Sequence, residues 1–241
     1  MTALHVSRCN APQLTPKELE AVTKSIQQFQ LGEGSKGQRL LDRGKAFGSK
    51  VNDPFFVPAL ELFIKEEQQH SEYLAHFMQS QNILLISHHW VDTVFRKLRG
   101  MAGLELSLTI LVTAEIIAVP YYRALRDATG SQTLRIICTR MLEDESAHLR
   151  FQASMLTRVA SGRNRVWRRV ISELHRAFLL GTVVIVWAGH RSVIERARVG
   201  FGQFVGETFR AFREWEIVRL ACAAGAAGRK LPMNGLERVK P

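Results

Sequence analysis

The sequence predicts an all-α protein: four long helices arranged up and down with one longer crossover, followed by additional C-terminal helices. Three observations predict it. Apolar residues recur with a 3.6-residue period over long stretches, and alternating strand-like runs are few. The prolines fall near element starts, where a helix tolerates them. Four glutamates stand on stripes otherwise built from apolar residues, one glutamate on each of the four helices.

The first helix opens at Thr15-Pro16, with threonine as N-cap and proline in the first turn. With its continuation it reaches about Phe47, weakened by Gly32, Gly34, Gly37 and Gly44. The second follows Asp53-Pro54 and runs to about Ser80, and the third spans about Trp90 to Leu125. The turn from Asp127 to Ser131 ends the third helix, and the fourth covers about Gln132 to Ala160. Ser161-Gly162-Arg163-Asn164 reads as a linker. It divides the chain into a bundle, residues 1–160, and a basic helical extension, residues 161–241, whose tail from Gly225 is expected to be loose.

Composition bounds the class. With 241 residues, 46% apolar and 23% charged, the chain is neither disordered nor collagen-like, nor a disulfide-stapled mini-protein. The formal net charge of +11 suggests a polyanionic partner until it is mapped. Residues 1–160 carry only +2 of it, and residues 161–241 carry +9. Cys9, Cys138 and Cys222 are scattered, which argues against a disulfide framework or a CxxC metal knuckle and predicts a cytoplasmic setting. The N-terminus has no apolar core of signal-peptide length. The longest apolar run, Phe178–Ala188, has eleven residues against the roughly 20 of a membrane crossing, and reads as a buried or interfacial helix.

The chemistry lies in the glutamates. Glu67 and His70 share a face with Phe63, Leu74 and Phe77; Glu145 and His148 share one with Cys138, Leu142 and Phe151. Glu115 follows Leu104, Leu108 and Leu111, and Glu33 is flanked by Phe29, Gly37 and Leu40. An ionised carboxylate in a core costs several kcal/mol unless it is paired or bound to a metal, and four would also repel one another. Two cations cancel that repulsion. The order is Glu, Glu-x-x-His, Glu, Glu-x-x-His, and the i,i+3 spacing puts carboxylate and imidazole one turn apart on one face. This is the ligand plan of a dimetal four-helix bundle. The separations of 34, 48 and 30 residues between successive glutamates leave room for such a path.

At LGEGSKGQRLL, IKEEQQHSEYL, TAEIIAVPYY and LEDESAHLRFQ the chain resembles the ferritin-like superfamily of dimetal carboxylate proteins, over about residues 20–160. The resemblance implies that Glu33, Glu67, His70, Glu115, Glu145 and His148 ligate the metals, with Glu67 and Glu145 bridging. It also implies that Glu66 and Asp144 orient His148 and His70 through their second nitrogens. The cofactor implied is two iron ions, or a manganese–iron pair.

Several functions share this ligand set; of them the resemblance implies an oxidoreductase that activates O2 to oxidise or hydroxylate a small organic or lipidic substrate, with Tyr122 or its neighbour Tyr121 moving an electron or proton. The competing expectations are a ferroxidase or metal-handling protein, and a non-catalytic scaffold. Pro120 is placed to kink the third helix, and Cys138 to line the pocket or pack in the core. The basic extension is read as a solvated cap, as a surface for an electron-donor protein or acidic carrier, or as a peripheral membrane contact. The last rests on Trp167, Phe178, Leu179, Leu180 and Trp187 interleaved with Arg165, Arg168, Arg169, Arg176 and Arg191. No recognition motif favours nucleic acid, and a homodimer is open.

Overall fold

The computed structural model describes residues 13–101 and 103–226. Cys9 and the tail past Ala226 lie outside the described residues. Among these, eight helices follow one another: α1 (Pro16–Glu33), α2 (Gln38–Val51), α3 (Phe56–Ser80), α4 (Trp90–Met101), α5 (Leu104–Asp127), α6 (Gln132–Val159), α7 (Arg165–Arg196) and α8 (Phe201–Ala226). No strand occurs among the described residues.

The caps explain the starts. Thr15 and Glu18 form a reciprocal capping box ahead of Pro16. Ser131 caps α6 by accepting from the Leu134 amide, and Asn164 caps α7 by accepting from that of Trp167. Glu18 also accepts from the Gly130 amide at 2.6 Å, which ties the start of α1 to the α5–α6 turn.

Two expected helices are each divided. The first breaks after Glu33, and Gly37, in the left-handed region at φ 62°, starts α2. The third separates into α4 and α5, with Gly103 in an extended conformation ahead of Leu104. By contrast Pro120 sits inside a continuous α5. In the extension, the glycine-containing stretch 191–206 interrupts the helices only between Ala197 and Gly200. His190 is the one internal departure of α7 from helical backbone.

Packing places α1 on α3, α3 on α6 and α6 along α5. The core has two clusters. One contains Phe56, Leu60, Phe63, Leu108, Ile116 and Leu156; the other contains Val22, Ile26, Leu74, Phe77, Tyr122 and Met141. Helices α3 and α5 run from the first cluster to the second, and α6 runs back. Parallel α3 and α5 require a long connection, and residues 81–103 with α4 provide it. On all three helices the carboxylates and histidines fall between the two clusters, at mid-height. Helices α7 and α8 join the first cluster through Leu179, Val183, Phe204 and Trp215, so the extension and the bundle share a core. Among the described residues two helices are long and apolar enough to cross a membrane by length and composition alone: α5, which is mostly buried, and α7, which is mostly not.

Gly37 carries the break between α1 and α2. A β-carbon there would lie 2.6 Å from Ile64 Cδ1, on backbone that L-residues rarely adopt. Gly37→Ala is therefore expected to destabilise the fold by roughly 1–3 kcal/mol in denaturant unfolding, from backbone strain and the contact together.

Candidate metal centre

Glu67 and His70 lie one turn apart on α3, and Glu145 and His148 one turn apart on α6. The two helices bring one ligand atom from each of these four residues within 4.8 Å of one another. That spread is slightly wider than about twice a 2.1 Å metal–oxygen bond, so small side-chain movements or a second ion suffice to close it. His70, Glu145 and His148 are buried and Glu67 nearly so. Glu115 of α5 joins them, its Oε2 3.9 Å from His148 Nδ1.

Five atoms of this cluster are buried without a hydrogen-bond partner: Glu67 Oε1, His70 Nδ1, both Glu145 carboxylate oxygens and His148 Nδ1. His148 Nδ1 and Glu67 Oε1 approach to 3.0 Å, but not with the direction a hydrogen bond requires. Buried polar groups are otherwise almost always satisfied, at a cost of about 1–3 kcal/mol each when they are not. Five such atoms converging on one point fit a cation. Carboxylate oxygens and imidazole nitrogens are also the donor set that iron and manganese take.

The outward nitrogens are held. His148 Nε2 lies 3.1 Å from Glu66 Oε2, and His70 Nε2 lies 3.3 Å from Asp144 Oδ2. Each contact runs between α3 and α6 and turns the Nδ1 of its ring toward the cluster. Arg140 in turn pairs with Asp144 at 2.9 Å. Gln152, one turn beyond His148, donates to Glu115 Oε1 at 3.1 Å. Sequence reasoning missed Gln152, although a polar side chain on the same apolar stripe at i+4 was a usable signal.

Glu33 is placed differently from the other carboxylates. It is the last residue of α1, it is buried, and it accepts a 2.5 Å hydrogen bond from the Tyr122 hydroxyl. Tyr121 does not reach the cluster. Its hydroxyl lies 2.8 Å from Ser25 Oγ, which is also 2.8 Å from His190 Nδ1, and its ring stacks on Phe29. Cys138 packs in the second apolar cluster and does not line the cavity described next.

A cavity of about 180 Å³ reaches Glu33, Glu67 and Glu115. Its walls are largely apolar, among them Phe29, Leu40, Phe63, Ile64, Ile110 and Ile117. Polar Gln28, Ser35, His89 and Asp92 line it too, and Val91 and Phe95 of α4 and Thr182, Val186 and His190 of α7 contribute, so the crossover and the extension both shape access to the cluster.

The electrostatics follow from burial. Burial, then the neighbouring Glu115, pushes Glu67 and Glu145 well above the ordinary carboxylate range, and burial also raises Glu33. Burial acts the same way on Glu115, but contacts with Glu145 and His148 outweigh it and hold the group at about 2. Burial alone would lower His148; the facing carboxylates of Glu115, Glu145 and Glu67 prevail and raise it. The Tyr122 hydroxyl is raised by burial and by the Glu33 carboxylate, so it keeps its proton and donates.

Comparison with protein-family models, with curated proteins and with solved structures returned no match. The fold and the site therefore define an all-helical protein with a buried Glu/His cluster that could hold a metal ion.

Without metal, this cluster makes stability depend on pH. The folded chain binds protons at Glu33, Glu67, Glu145 and His148 more tightly than the unfolded chain, whose carboxyl groups titrate near 4.5 and whose imidazole titrates near 6.5. Both contributions fade as pH rises. His175 and His190, lowered to about 4 by burial, act in the opposite sense but only below 6.5, and Glu115 is already constant there. The melting temperature of metal-free protein should fall between about pH 6.5 and 8.5. A bound metal ion should reverse the fall; a rise with pH in metal-free protein contradicts the assignment.

Proposed function

We propose that the chain is a ferritin-like dimetal carboxylate oxidoreductase. It holds two iron ions, or a manganese–iron pair, and uses O2 to oxidise or hydroxylate a small organic or lipidic substrate. One observation carries this reading: five unsatisfied, buried ligand atoms lie beside a largely apolar cavity that ends on Glu33, Glu67 and Glu115. A protein that handles metal as its cargo needs a path of polar or acidic side chains leading inward; Gln28, Ser35, His89 and Asp92 line this cavity too, but walls made largely of Phe29, Phe63, Ile64 and Ile110 favour an organic substrate.

Glu33, Glu67, His70, Glu115, Glu145 and His148 would hold the metals. Bound iron would supply redox steps and open coordination positions for O2. The chain's own residues do the rest. Glu66 and Asp144 fix the two imidazoles, and Gln152 fixes Glu115. The apolar walls exclude water and receive the apolar part of the substrate. The Tyr122 hydroxyl stores a proton against Glu33, at the inner end of the cavity. An electron-donor protein is the partner this chemistry needs, and the basic extension offers the surface for an acidic one.

Metal analysis after anaerobic loading with ferrous iron should give about two irons per chain, with stoichiometric O2 uptake on exposure to air. A folded chain that stays metal-free with ample iron and manganese contradicts the reading. Glu115→Ala should lose stable metal binding while the helical signal is retained. Tyr122→Phe should keep the metal and slow O2 uptake by about tenfold or more; unchanged uptake removes Tyr122 from the chemistry.

A further inference from the structure

Helix α7 is 32 residues long, packs on α1, α5 and α8, and buries Leu179, Val183 and Ile194 on that side. Its other side is an uncharged stripe. Trp167, Val170, Leu174, Ala177, Gly181, Val184 and Ala188 follow one another at alternating spacings of three and four residues, and all seven are exposed. Leu174 is 60% exposed and Val184 47%. A β-carbon on Gly181 would meet nothing within 4 Å among the described residues. The stripe is about 32 Å long at 1.5 Å per residue.

Alternating three–four spacing is the repeat of a seam that receives another helix, side chain into hole. A bilayer surface imposes no such register, and it gains little from small residues. Ala177, Gly181 and Ala188 instead let a second helix backbone approach closely. We propose that this stripe is a homodimer interface, with α7 packing antiparallel on α7 of a second copy and crossing it between Ala177 and Gly181.

The stripe is self-complementary about that point. Ala177 meets Gly181 of the second copy, Leu174 meets Val184, and Val170 meets Ala188. Charge selects the antiparallel direction. The start of α7 carries exposed Arg163, Arg168 and Arg169 together with the positive end of the helix dipole, which parallel pairing would set against their own copies. Antiparallel pairing sets Arg163 level with Glu195 of the second copy, and Trp167 level with Arg191. Within one chain Arg163 pairs with Glu105 and stacks on Trp167, and Arg191 pairs with Glu195, so the second copy adds a further carboxylate beside Arg163 and a further guanidinium beside Trp167. The interface is independent of the metal assignment.

Light scattering on the size-fractionated full chain should give twice the 27.3 kDa chain mass. Val184→Glu should weaken association by roughly tenfold or more, with its circular dichroism unchanged. Leu220→Glu, at an exposed position of α8, should leave association intact. A chain carrying Leu174→Cys and Val184→Cys should form an interchain disulfide that Leu174→Cys alone does not. A monomer at the highest soluble concentration overturns the proposal, as does a dimer indifferent to Val184→Glu. A disulfide from Leu174→Cys alone overturns the antiparallel arrangement. Binding of monomers to phosphatidylglycerol vesicles that Val184→Glu abolishes assigns the stripe to a membrane instead.

Discussion

Like charges in an apolar core are the constraint on which this structure depends. Glu33, Glu115 and Glu145 are buried, Glu67 is nearly so, and two imidazoles are packed among them between two clusters of aliphatic and aromatic side chains. Desolvating one carboxylate costs several kcal/mol, and a group of four multiplies the cost through mutual repulsion. Protons offset part of this, which is why burial drives Glu67 and Glu145 upward. Protons shared within the cluster relieve part of the repulsion, and a cation at the meeting point of the five orphaned ligand atoms would relieve more of it. The rest of the bundle is arranged around that point. Glu66 and Asp144 steer the imidazoles from outside, and Gln152 and Tyr122 each hold one carboxylate.

Much of this was legible because helical periodicity is a local property. The i,i+3 spacing of Glu67 with His70 and of Glu145 with His148 fixes a shared face whatever the surroundings, and an acid on an apolar stripe stands out. Thr15 and Pro16 mark a helix start through side-chain and backbone chemistry that needs no tertiary contact. What was not legible depends on contacts distant in sequence. The sequence places Glu33 within a helix and its continuation, but the chain turns immediately after it and Gly37 starts another. The Ser25–His190 contact joins residues 165 apart, and no pattern in either neighbourhood announces it. Helix α7 likewise reads as an appendage in sequence, yet Thr182, Val186 and His190 wall the cavity beside the cluster.

The charge map and the structure show two features on the extension, a basic excess and an uncharged stripe. Its basic residues account for most of the +11, yet the longest uninterrupted feature of α7 is an uncharged stripe. Of the residues that suggested an interfacial helix, Leu179 is buried and Phe178 and Trp187 are half-buried, while Trp167 and Leu180 are exposed. The apolar run Phe178–Ala188 thus serves the core, the cavity and the outer stripe at once. That triple use is why neither length nor hydropathy of the run identifies its surroundings.

X-ray absorption at the iron edge of the loaded, full-length chain tests the central claim most directly. A metal pair held by these six side chains should give a first shell of oxygen and nitrogen only, with a metal–metal vector of roughly 3.5–4 Å. Isolated iron with no metal neighbour, or iron bound through sulfur, would contradict the account.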